Sequence, residues 1–189
     1  VLMLVFKDTI EGLVSGIRLT SNNMLHVGDW ITVPNTIVNG VVKEMSLSTV
    51  KVQNFDNTIV TISPQALING SFQNWIGMQQ GSGRRVKRVV YFDFRSIRFE
   101  DQDKKITNMG EFRRAMEIYL TNRDDVNKEM TVMVRELEAT QGGVPLEFYF
   151  FLKMKDWKPY EEHLADIMEY VYSIAGKYGL TIYQQYPEQ

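Results

Sequence analysis

Between Val27 and Ile62, turn residues interrupt the chain at intervals of roughly ten positions, and the pieces between them are rich in β-branched side chains. Val27-Gly28-Asp29 opens with a turn and Trp30-Ile31-Thr32-Val33 continues in strand formers. Val38 to Met45 and Thr49 to Asn54 follow, Phe55-Asp56-Asn57 turns the chain, and Thr58 to Ile62 returns. Segments this short pair through tight turns, so the spacing predicts a small antiparallel barrel or sandwich. Pro64 ends the run and stands where the first turn of a short helix, through Ile68, begins. A unit of about 50 residues buries a small core and gains from oligomerisation.

The preceding segment has a different period. Ile10, Leu13, Val14 and Ile17 recur at helical spacing, while Leu4, Lys7 or Asp8, Glu11, Ser15 and Arg18 line another face. Gly12 and Gly16 are four apart, which permits close backbone approach between helices. A membrane span needs about 20 predominantly apolar residues. Lys7, Asp8, Glu11 and Arg18 break the pattern, so residues 1–20 alone are not a lipid-facing span. A basic leader and a small-residue cleavage site are lacking, which excludes a signal peptide. Two readings stand: an amphipathic surface helix, or the tail of a membrane helix packed around a polar axis. The apolar run Val1 to Phe6, starting at Val rather than Met, reads as a chain cut from something longer.

Beyond Ile62 the order changes again. Gln79-Gln80-Gly81-Ser82-Gly83 reads as a flexible hinge. Arg85 to Phe94 alternates as a strand, with Val86, Val89, Tyr91 and Phe92 as its apolar content. Asn108 to Leu120 is a predicted helix with Phe112, Met116 and Tyr119 inward, and Met130 to Leu137 a strand. Gln141-Gly142-Gly143 turns into another strand from Leu146 to Leu152. Asp156 is a candidate N-cap for a long helix with Pro159 in its first turn, reaching Tyr178; Gly179 stops it, and Leu180 to Tyr183 is a final strand. The order β-α-β-β-α-β is that of a ferredoxin-like split unit, so the chain is α+β.

Chemistry is sparse. Apolar residues at 44% and charged residues at 23% are ordinary for a globular chain and exclude disorder, collagen and a polytopic membrane protein within these 189 residues. Without cysteine there is no disulfide, thiolate zinc site or cysteine nucleophile. His163 follows Glu161 and Glu162, but adjacent residues share no helix face, so a solvated surface outweighs a metal site. His26 precedes the Gly28-Asp29 turn and takes a turn or interface role. Asp101 and Asp103 alternate like a calcium loop but lack the following Gly and distal Glu. GxGxxG, GxSxG and P-loop motifs are absent. The chain is therefore expected to be no enzyme, to carry no cofactor and to hold no metal.

Arg84, Arg85, Lys87 and Arg88 form a basic cluster leading into a strand, where alternate residues point to opposite faces. A salt-bridged domain junction is the expected role, since no aromatic stacking platform accompanies the cluster in the sequence. The 21 basic against 23 acidic residues, a net charge of −2, make a globally basic nucleic-acid binder unlike this chain. Nucleic acid is accordingly not expected as a partner, although a small β-barrel keeps a soluble Sm-like RNA-binding or scaffolding module as the alternative.

Order and spacing carry a resemblance. Residues 6–31, from Phe6-Lys7-Asp8-Thr9-Ile10-Glu11-Gly12-Leu13-Val14-Ser15-Gly16-Ile17-Arg18-Leu19 to Val27-Gly28-Asp29-Trp30-Ile31, resemble the pore-helix end entering the β domain of small-conductance mechanosensitive channels, the MscS family. Gly40-Val41-Val42, Leu47 to Lys51, Asp56, Val60-Thr61-Ile62, Leu67-Ile68 and Asn74 continue it. Gly83 to Arg88, Met130 to Arg135 and Asp156-Trp157 are similar to the YbdG-like branch. The resemblance implies a pore-helix end over residues 1–24, an Sm-like β domain over 25–78 and the ferredoxin-like domain over 79–189. It also implies a homoheptamer in a bacterial inner membrane, with this fragment on the cytoplasmic side as part of a cage. Tension on osmotic downshock would open the pore to ions and small solutes, and missing N-terminal spans would contact the bilayer. Leu4 maps onto the constriction leucine. Gly12 and Gly16 would let neighbouring pore helices pack, while the apolar stripe meets the β ring or adjacent subunits. The family's kink glycine falls at Asp8, a departure from the family's kink and its hinge chemistry. Ile62-Ser63-Pro64 carries its proline one position late, and Glu100-Asp101-Gln102-Asp103 replaces a longer charged spacer, implying a shortened loop or omitted residues.

Overall fold

The structure, a computed structural model, describes residues 2–101, 103 and 105–185. It divides into two compact units between Gln80 and Gly81, each with its own apolar core.

The first unit opens with helix α1 (Leu2–Ser21). Strands β1 (Trp30–Thr32), β2 (Asn39–Met45), β3 (Val50–Asn54), β4 (Ile59–Ile62) and β5 (Gln73–Asn74) form one antiparallel sheet in the order β4-β3-β2-β1-β5. Short helices α2 (Pro64–Asn69) and α3 (Ile76–Gln80) flank β5. The turn chemistry follows the residues. Asn57 takes a left-handed φ of 72° between β3 and β4, and the Asp56 carboxylate accepts both the Thr58 N–H and its hydroxyl. Ser63 caps α2 by accepting the Ala66 N–H, with Pro64 in the first helical position. A bulge in β2 between Val42 and Glu44 shifts the register against β3. Ile31, Val42, Val50 and Val52 meet Leu19, Leu25 and Leu67 in the core.

In the second unit, β6 (Arg84–Phe92) pairs over its whole length with β10 (Val144–Leu152), whose other edge carries β9 (Met133–Glu136). A hairpin of β7 (Phe99–Asp101) and β8 (Ile106–Thr107) leads to α4 (Asn108–Asn122), and α5 (Trp157–Ala175) follows β10. Val86, Val90 and Phe92 alternate onto the side covered by α4 and α5, where Phe112, Met116, Leu164, Ile167, Phe148 and Phe150 complete the core. Val89 and Tyr91, expected among the apolar strand content, project to the opposite face and are exposed.

Several expectations need correction. The closing strand at Leu180–Tyr183 is a single antiparallel bridge, Ile182 to Phe92, supported by N–H donation from Asp93 to Thr181 and from Tyr183 to Tyr91. The long helix ends at Ala175, where a 3₁₀ turn runs to Tyr178 and Gly179 closes it in the left-handed region at φ 65°. Asp156 occupies its N-cap position without a side-chain capping bond. Of the residues read as a hinge, Gln79 and Gln80 belong to α3, the Gly81 carbonyl accepts Lys155 Nζ at 2.8 Å, and the Ser82 carbonyl accepts Asn127 Nδ2 at 2.9 Å. The charged spacer contributes to β7; its Gln102, like Val1 of the opening apolar run, lies outside the described residues.

Candidate functional site

Helix α1 rests on its unit by its small side chains. Ser15, Gly16 and Leu19 are buried, Gly12 is half-buried, and a Cβ placed on Gly16 would overlap the Leu47 carbonyl in the β2–β3 turn. The glycine lets the helix lie directly on backbone. Gly12 differs: a Cβ there would meet nothing within 4 Å. Gln65 at the start of α2 donates from Nε2 to Glu11 Oε2 at 3.1 Å, and Lys7 lies 3.8 Å from the other Glu11 oxygen. Asp8 borders a cleft of about 270 Å³ between α1, the β2–β3 turn and α2, with Gly12, Leu47 and Pro64 among its walls. Leu4 stands one helical turn before Asp8 and is 77% exposed. Gly16, read from the sequence as a contact for a neighbouring helix, thus has a partner in its own chain.

The opposite side of α1 carries its large apolar residues. Met3, Phe6, Ile10, Leu13, Val14 and Ile17 are all exposed, from 41% at Val14 to 88% at Met3. They recur at the spacing that places them on one stripe, away from Gly16 and Leu19. No helix among the described residues is long and apolar enough to cross a membrane.

The basic cluster divides as strand alternation requires. Arg84 turns to the α5 side, its guanidinium 4.2 Å from the Tyr160 ring centroid and its Nη1 donating to the Lys155 carbonyl at 3.1 Å. Arg88 shares that parity and is exposed. Arg85 and Lys87 occupy the other face. There Lys87 Nζ lies 3.7 Å from Glu147, which is 1% exposed and also receives Arg135 at 2.7 Å from β9. Register sets Lys87 opposite Tyr149 and Arg85 opposite Phe151. The Arg85 guanidinium is 6.0 Å from the Tyr149 ring, whose centroid is 5.8 Å from that of Phe151. An aromatic pair therefore does accompany the basic residues, some sixty positions along the chain but one strand away.

A second cluster went unread in the sequence. The buried Asp125 carboxylate accepts Arg123 Nε at 2.8 Å and lies 2.7 Å from His163 Nδ1 on α5. Burial opposes its ionisation, yet the hydrogen bonds from Arg123 and His163 outweigh that and hold its pKa below the ordinary carboxylate value. Arg123 also donates to the Tyr119 hydroxyl at 2.7 Å, and Tyr119 stacks on Tyr170 at 4.1 Å. His163, expected as a solvated residue, thus pins the loop after α4 to α5. Its spacing from Asp125 offers no sequence signal. His26 keeps its turn role: its N–H donates to Asp29 Oδ2 at 3.0 Å, and Asn74 Nδ2 reaches the same oxygen at 2.8 Å.

Comparison with known proteins draws these features together. Residues 8–77 match the family described as the mechanosensitive ion channel β-domain. The low conductance mechanosensitive channel YnaI of Escherichia coli is 23% identical over 173 residues, covering 92% of this chain and 47% of that protein. The small-conductance mechanosensitive channel MscMJ of Methanocaldococcus jannaschii is 27% identical over 73 residues, 39% of this chain and 20% of that one. Among solved structures, closed-state MscS from Helicobacter pylori superposes with a TM-score of 0.74 at 13% identity, covering all of this chain and 67% of the other. MSL1 of Arabidopsis thaliana gives 0.78 at 14% identity, covering 96% of this chain and 59% of that one. The structural likenesses show a shared fold. The chain spans about half the length of the Escherichia coli relative or less of the others.

Proposed function

We propose that the chain is a member of the MscS family of mechanosensitive ion channels, whose β-domain its residues 8–77 match, and that it is the cytoplasmic portion of a bacterial inner-membrane channel opened by tension on hypoosmotic shock. In this reading the channel releases ions and small solutes, works as a homoheptamer and catalyses no reaction. Membrane spans N-terminal to this chain carry the bilayer contacts. The observation that supports it best is α1: a helix seated on its own β unit by Gly16 and Leu19 while a stripe from Met3 to Ile17 stays exposed. An isolated chain gains nothing by presenting that stripe to water, whereas copies packed around an axis bury it.

The first unit supports an Sm-like β domain through its five-stranded antiparallel sheet and its bulged β2. The second supports a ferredoxin-like arrangement: β6, α4, β9, β10, α5 and the Ile182 bridge follow in that order, with β6 and β10 central. Leu4 is the proposed constriction, its apolar side chain helping a narrow pore to dewet. Gly16 is assigned here to the seat on Leu47, and the stripe to neighbouring copies.

Patch-clamp recording of the full-length protein under suction tests the proposal. Tension-activated current is expected, together with hydrophobic spans of about 20 residues preceding this segment. A full-length protein lacking such spans, or giving no current across a range of suction, would overturn the channel reading.

A further inference from the structure

We propose that the face of the second sheet turned away from α4 and α5 binds single-stranded nucleic acid. The face is built from alternate residues of the three paired strands. Strand β6 supplies Arg85 and Lys87, β10 supplies Tyr149 and Phe151, and β9 supplies Arg135. Arg85 is exposed, and the Lys87 and Arg135 side chains are 52% and 48% exposed. Tyr149 and Phe151 are half-buried, held by the strands beneath them.

Charge and ring geometry favour this occupant. Glu147 is the acidic residue paired with Lys87 and Arg135, and it is 1% exposed, so the accessible charge over the rings is cationic. Glu147 also orients the two cations, as a buried carboxylate between strands that cannot itself meet a ligand. Tyr149 and Phe151 stand two residues apart on one strand, about 7 Å along the sheet. Set edge to face with centroids 5.8 Å apart, the two rings form one aromatic surface on which an unpaired base can pack, while the flanking Arg and Lys meet phosphates. Some sheets bind single strands by stacking bases on aromatic side chains of their strands. A duplex hides its base faces and offers these rings nothing. An acidic peptide would satisfy the cations but leave the rings unused. A sheet face also admits an extended chain, where a small ligand would need enclosing walls.

The test uses this chain and fluorescence anisotropy of an end-labelled oligouridylate of about twelve nucleotides. Roughly three phosphate contacts imply a salt slope near −2, so affinity is expected to fall about 15- to 20-fold between 50 and 200 mM salt. Tyr149→Leu is expected to weaken binding roughly tenfold or more through lost stacking, while Tyr149→Phe retains it. Arg85→Glu, at an exposed position that leaves the fold unchanged by circular dichroism, is expected to abolish binding at the higher salt. No binding at 50 mM salt overturns the proposal. So does equal binding of a duplex of the same length or of polyglutamate, which would make the face a general anion surface. Equal binding by Tyr149→Leu and the parent chain overturns it as well. The channel reading is tested by current and by the preceding hydrophobic spans, so either can fail without the other.

Discussion

At Gly16 and Gly12, one helix carries the same residue under opposite demands. A side chain at Gly16 meets the Leu47 backbone, which cannot swing aside as a flexible side chain would. Gly16→Ala is therefore expected to lower the stability of the chain by about 1–3 kcal/mol in urea denaturation. Gly12→Ala meets nothing within 4 Å and removes a glycine from a helix interior, so it is expected to raise stability by up to about 1 kcal/mol. Equal effects at the two positions would mean that the Leu47 contact does not seat the helix. Asp125 gives a pH-dependent case. Its folded pKa lies below its ordinary 3.8, so the folded state binds the proton less readily than the unfolded state. The stabilisation is present above the unfolded value and is lost as pH falls through the folded one. Asp125→Asn is expected to cost about 1–3 kcal/mol at neutral pH. The gap between variant and parent should narrow below about pH 4 in urea melts. A gap that stays constant into that range would assign the effect to packing instead of charge.

For the helix and sheet elements, the question is which face each buries. Helix α1 has two candidate faces, and the one with the larger side chains is left outside. Leu13→Gln with Ile17→Gln is expected to weaken self-association of the chain in sedimentation velocity. Because both residues are exposed, stability of the individual fold should change by less than about 0.5 kcal/mol. An unchanged association profile would separate the stripe from assembly. In the second sheet, β10 is buried on nearly every residue although it includes a glutamate. That charge is held because β6 and β9 each bring a cation to it. Glu147→Leu removes the carboxylate and leaves two partly exposed cations that water can solvate, whereas removing Arg135 leaves the buried carboxylate to Lys87, 3.7 Å away. Arg135→Ala is thus expected to be the more destabilising change, costing about 1–3 kcal/mol in urea denaturation.

Across the whole molecule, the two cores differ in substance. The first is Val, Leu and Ile from short strands around α1 and α2, while the second contains the fully buried Phe92, Phe112, Phe148 and Phe150. Smaller cores stabilise less. In a Trp157→Phe chain the indoles of Trp30 and Trp75, stacked at 4.5 Å, report the first unit alone. Their fluorescence is expected to change at lower urea than the far-ultraviolet circular dichroism of the whole chain; coincident midpoints would show the two units unfolding as one.

The kinds of element and many of the breaks between them follow from the residues alone, because period, turn chemistry and caps act over a few positions. Asn57, Ser63-Pro64 and Gly179 each act where the sequence places them. The division of Arg84 to Arg88 between two faces is equally local, since strand alternation needs no partner. What the tertiary structure decided is which residues meet. Gly16 found Leu47, Asp125 found His163, and Arg85 and Lys87 found Phe151 and Tyr149. Those meetings depend on strand register and on where a helix lands, both set by burial of a whole core. No short-range pattern in the chain encodes them.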